Sequence, residues 1–267
     1  MNIGNILLSF LMQLVFTVGV IWIFGFLISL CNKIFYQNFG SWGKTACYVT
    51  GAIGTPIHEC SHALFCIIFG HKIEQIKLFQ IDSNDGTLGY VWHSYNRKNV
   101  YHLIGNFFIG IAPIAVITAL LYLIALPLVP DMLNSIFYQV STLDTKIGFQ
   151  NIFPNFWEVI KIIFSQIGNL NWWLFVIIGV FLCLHMTLSM EDIKSAFSGA
   201  IILTGILMLT NFILGIIDHF GSLSTLSIFT DKVLFLGTYL ASFLILALVI
   251  SLIAVAFSAI IKLIFRK

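Results

Sequence analysis

The sequence predicts an all-α polytopic membrane protein with about six transmembrane helices and a small β-hairpin. Three observations predict it. Of the 267 residues, 59% are hydrophobic and only 9% charged, where soluble domains carry about a quarter charged residues. The apolar residues run in long unbroken stretches, as helices require, and not in the short alternating segments of a membrane barrel. A bilayer core takes about 20 apolar residues per helix. By that ruler there are six spans, at about 5–30, 45–70, 102–129, 172–189, 196–217 and 233–262.

The first span is too long for a secretory leader, lacks a basic start and precedes no small-x-small cleavage site, so a retained helix is expected. No repeat, linker or low-complexity tract divides the chain, which reads as a single integral membrane domain over 1–267. Six spans put Lys72, Lys77, Arg97, Lys98, Lys194, Lys262, Arg266 and Lys267 on one side, and Lys33, Lys44, Lys146, Lys161 and Lys232 on the other. The positive-inside rule then places both termini in the cytoplasm, and a bacterial cytoplasmic membrane is the expected location. No basic stripe lies outside these membrane flanks, which excludes a nucleic-acid surface. The five cysteines (Cys31, Cys47, Cys60, Cys66, Cys183) lie in or near apolar spans without CxxC spacing, and read as small buried hydrophobes.

The second span contains His58-Glu59-Cys60-Ser61-His62. A helix sets residues i and i+4 on one face a turn apart, so His58 and His62 are placed to grip one metal ion while Glu59 stays free as a base. Composition alone would produce such a pattern in about 0.003 of chains with 7 histidines. Polar groups within a span are also expensive, a charge near mid-bilayer costing on the order of 3 kcal/mol. Hydrogen-bonded histidines that merely tie helices together are the bland alternative. Gly54-Thr55-Pro56 just before the motif is expected to loosen the helix and admit water.

Past this helix, Ile73, Gln75 and Lys77 alternate, Ser83-Asn84-Asp85-Gly86 reads as a turn, and Leu88 to Trp92 is β-rich. These features predict a hairpin. Its unpaired edge is able to accept an extended peptide as an added strand; a plain cap over the helices is the alternative. His71, His93 and His102 read as surface residues with no special role, and Asn106 as a hydrogen-bond donor either to a substrate carbonyl or to a helix backbone. The loop at about 130–171 holds Phe156 to Phe164, expected to form an amphipathic interfacial helix bounded by Pro154 and the Trp172-Trp173 pair.

The tract GTPIHECSHALFCIIFGHKIEQIKLF, residues 54–79, resembles the active-site helix of the site-2 protease family of intramembrane zinc metalloproteases. HExxHA, the apolar run after it, the closing Gly70 and the departing strand carry that resemblance. Gly110-Ile111-Ala112-Pro113 is similar to the family's turn beside the active site. The resemblance covers about 45–129. It implies a three-helix catalytic core, a Zn2+ cofactor, and hydrolysis of a peptide bond in a membrane-spanning or membrane-tethered protein substrate.

The family's third ligand is an aspartate in an Asn-x-x-Pro…Asp-Gly motif, and Asp192 is the best match here. The Asn and Pro are missing, and Ile193 stands where Gly would follow. Ser189-x-x-Asp192 also resembles a capping box that opens a helix. His185, Ser189 and Asp192 would share one face of an unbroken helix, which leaves His185 as the alternative ligand. Asp218-His219 lies towards the opposite membrane face, too far to join the zinc. Two other functions stay open: a non-catalytic descendant that binds a partner helix, and a metal transporter, for which ligands confined to one face are unsuitable.

Overall fold

The computed structural model describes residues 3–81, 86–142, 152–221 and 224–265. The predicted turn residues Ser83, Asn84 and Asp85 lie outside them, as do Lys146, Arg266 and Lys267 of the charge count. Helices dominate. α1 (Ile3–Leu14) and α2 (Val20–Asn38) join through a π-helical turn, Val15–Gly19, into one apolar span of 36 residues. α9 (Met190–Gly221) and α10 (Thr225–Phe265) are the other two long apolar helices.

Two further pairs are bent. α4 (Val100–Gly110) meets α5 (Ala112–Leu128) at 58°, and α7 (Ile152–Ser165) meets α8 (Leu170–Cys183) at 114°. Among the described residues three helices are thus long and apolar enough to cross a membrane, or up to five if each bent pair is one span, beside the six expected. α3 (Gly43–Ile68) accounts for part of the difference. It has 26 residues, but His58, Glu59, Ser61 and His62 interrupt its apolar run.

The loop expected at 130–171 contains a helix of its own, α6 (Pro130–Ser141), which buries Met132, Leu133, Ile136 and Val140 at helical spacing. At 12 residues it falls below the length a span needs. α7 is the predicted amphipathic helix: Val159 and Ile163 are buried, while Trp157 and the Glu158–Lys161 ion pair face outward. Trp172 donates its indole N–H to the Ile163 carbonyl of α7, and Trp173 donates its own to the Ile167 carbonyl just beyond that helix.

Strands β1 (Lys72–Lys77) and β2 (Tyr90–Ser94) form an antiparallel pair with a register shift between Ile73 and Gln75. A helix end sets the hairpin's direction. Gly70, at φ +70°, donates to the carbonyl of Ile67, and His71 donates to that of Cys66. This is the Schellman closure that a left-handed glycine allows. Beyond β1 the loop runs back along α3: Gln80 N–H donates to the Leu88 carbonyl, and Leu88 and Phe79 lie against Gly51.

In the larger core cluster Ile114, Ile117 and Leu121 of α5 meet Phe175 of α8 and Leu244, Ala247 and Ile250 of α10, and a smaller one gathers Phe35, Leu184 and Ala254. Between the apolar helices α1, α9 and α10, Gln13 and Asn211 exchange amide hydrogen bonds of 3.1 and 2.7 Å, and Gln13 also donates to Thr230 Oγ1 at 2.8 Å. All three side chains are buried, and the clasp holds α1, α9 and α10 together where no water competes. Small residues let α4 and α9 close up. A Cβ at Gly199 would lie 2.3 Å from Phe107 N, and one at Gly110 would lie 2.5 Å from the Asp192 carbonyl.

Candidate metal centre

α3 puts His58 and His62 one turn apart, with Nε2 atoms 3.1 Å from each other. The start of α9 brings in Asp192, whose Oδ1 lies 3.2 Å from His62 Nε2 and whose Oδ2 lies 3.9 Å from His58 Nε2. One ligand atom from each of the three residues lies within 4.8 Å of the other two.

Broken helices on both sides orient the two rings. The carbonyl of Ile109 would bond the N–H of residue 113 in a continuous helix, but Pro113 has none. That carbonyl instead takes the proton of His62 Nδ1 at 2.8 Å. His58 Nδ1 donates in the same way to the His185 carbonyl, also at 2.8 Å, which is free because α8 stops at Cys183. A carbonyl only accepts, so each neutral ring carries its proton on Nδ1 and turns a lone pair out through Nε2.

Three acceptors with no donor among them therefore converge. Such a set repels itself until a cation joins it, and two imidazoles with one carboxylate suit Zn2+ with one position left open. Asp192 is oriented from behind as well. Its Oδ2 accepts from Ser189 N–H at 2.8 Å, and Ser189 Oγ accepts from Asp192 N–H at 3.1 Å, a reciprocal capping box.

His185 does not bring its ring to this group. With α8 ended, residues 185, 189 and 192 share no helix face, and the one-face expectation is overturned. The ring lies beside Thr50 Oγ1, Thr55 Oγ1 and Tyr36 OH, at 3.1, 3.4 and 3.3 Å. Gly54 makes room for it, since a Cβ there would fall 2.3 Å from His185 Cδ2. α3 itself runs on through Thr55 and Pro56, and Gly54 serves the close approach of the His185 ring.

Glu59 sits where two cavities meet. One, of about 550 Å³, is lined by His62, Asp192, Glu191, Ile109 and β2 from Tyr90 to His93. The other, of about 440 Å³, runs past Thr55, Tyr36, Cys47 and Lys33. His58, Glu59, Gly89 and Ser189 border both. Asn106 lines neither: it is 1% exposed, and its amide has no hydrogen-bond partner among the described residues. Asp218 is engaged elsewhere, accepting the N–H groups of Thr225 and Leu226 at the start of α10.

Residues 51–163 match a family described as "Putative zincin peptidase". The match supports a zinc metallopeptidase. No curated protein and no solved structure matches the chain. The matched segment holds the HExxH turn, the hairpin, α4, α5 and α6, and ends before Asp192. Sequence reading missed His93 as a cavity residue. Its only local signal was a place on the inward-facing strand.

Proposed function

We propose that the protein is an intramembrane zinc metalloprotease of the site-2 protease kind, with His58, His62 and Asp192 as ligands and Glu59 as catalytic base. One observation carries the reading: both histidines are held in the tautomer that aims Nε2 at a shared point with Asp192. Zn2+ held there by His58, His62 and Asp192 would supply Lewis-acid polarisation of a carbonyl and lower the pKa of a water. Glu59, set between the two cavities, would take a proton from the attacking water and return it to the departing amine. The largely buried surroundings of His58, His62 and Asp192 strengthen each charge interaction.

A helical substrate hides its carbonyls in its own hydrogen bonds, so the scissile segment has to be drawn out. β2 lines the larger cavity, and its edge offers an extended chain the backbone pairing it has lost. Metal-capable side chains on α3 and α9 gather at one point among the described residues, which favours hydrolysis over transport along a path. Glu59→Gln in zinc-loaded protein is expected to keep the metal and to slow cleavage of a membrane-tethered substrate by about a hundredfold or more. Turnover equal to wild type would refute Glu59 as the base.

A further inference from the structure

His93 is the one hairpin histidine that faces the larger cavity, where it stands with His58, His62 and Asp192. Its Nδ1 lies 3.0 Å from Nδ1 of His71. His71 is held on every side. Its backbone belongs to the closure of α3, its ring stacks on Tyr95 at 4.8 Å, and its Nε2 lies 2.9 Å from the His102 carbonyl.

The protons of this pair follow from what each partner is able to do. The His102 carbonyl only accepts, so His71 Nε2 carries a proton, and a neutral His71 presents a lone pair at Nδ1. His93 Nδ1 must then donate to it, which leaves Nε2 of His93 as a bare acceptor. That atom has no hydrogen-bond partner among the described residues. Burial pushes His71 below its ordinary value and His93 down to about 4, with His71 adding to the effect on His93. Both rings are neutral at pH 7.

Resting on the protease reading above, we infer that His93 binds the substrate backbone, its Nε2 accepting a hydrogen bond from a chain N–H laid along β2, with His71 as the positioning residue that fixes the tautomer. The device selects for chemistry. It favours a residue with a backbone N–H at that position and disfavours proline there, which has none. A metal site needs ligand lone pairs converging, and His93 is not part of the converging group of His58, His62 and Asp192.

The test uses zinc-loaded full-length protein in detergent and a fluorescent Leu-Leu hydroxamate, compared with analogues N-methylated at each backbone amide in turn. Wild type is expected to bind one methylated analogue about tenfold more weakly than the parent. His93→Ala is expected to bind parent and analogue alike, and His93→Gln, which keeps an acceptor near the same place, to restore the difference. Nitrogen-15 spectra of histidine-labelled protein are expected to show His93 protonated on Nδ1 alone, and to lose that preference in His71→Phe. Discrimination that persists in His93→Ala, or a proton on His93 Nε2, overturns this inference alone. Failure of the zinc-loaded wild type to bind any hydroxamate overturns the protease reading and this inference with it.

Discussion

Pro113 decides which way His62 points. Lacking an N–H, it releases the carbonyl of Ile109 at the break between α4 and α5, and His62 Nδ1 donates to that carbonyl at 2.8 Å. A helix break that looks like a packing feature thus sets the tautomer of a proposed metal ligand.

Pro113→Ala returns an N–H to the helix and sets it in competition with His62 for the Ile109 carbonyl. Zinc affinity is expected to fall about tenfold or more, as for other losses of a ligand's supporting hydrogen bond. Competition against a chelator of known affinity measures it, and an unchanged affinity would remove Pro113 from the account.

Gly110→Ala is expected to destabilise the protein. The added methyl would meet the Asp192 carbonyl at 2.5 Å and Ala196 Cβ at 2.7 Å, and overpacking of this kind costs about 1–3 kcal/mol. Thermal unfolding in detergent reads the stability. Zinc occupancy of the same variant should drop as well, because the contact that gives way carries Asp192. A loss of stability with full zinc affinity would show that α9 moves without its first turn.

His93 imposes an acid sensitivity. Its ordinary value of 6.5 is lowered to about 4 in the folded protein, so between those limits the unfolded chain binds a proton that the folded chain refuses. Stability is therefore lost as pH falls from about 6.5 to 4. Unfolding measured across that window is expected to be flatter in His93→Gln than in wild type. Parallel curves would mean that the ring is solvated.

Much of the site was legible because its signals are local. HExxH needs only helical spacing, and Ser189-x-x-Asp192 announces a helix start that the structure builds as a reciprocal cap. Gly70 marked the end of α3 in the same way. What escaped the sequence depends on where chains end or return. α6 was too short for a ruler set by bilayer thickness. His185 was weighed as a ligand by its ring on the assumption of a continuous helix, whereas the chain stops at Cys183 and offers the carbonyl. His93 reads as a surface residue until the hairpin turns back along α3, a contact far apart in sequence. The six expected spans rest on length and apolarity alone, a ruler that α3 meets in length while His58, Glu59, Ser61 and His62 interrupt its apolar run.

Zinc content tests the central claim most directly. Elemental analysis of detergent-purified protein is expected to give one zinc per chain in wild type and in Glu59→Gln, and far less than one in His62→Ala and in Asp192→Asn, which keeps a capping side chain while losing the carboxylate. Wild type without zinc after reconstitution, or Asp192→Asn with its zinc intact, would contradict a three-ligand centre on His58, His62 and Asp192.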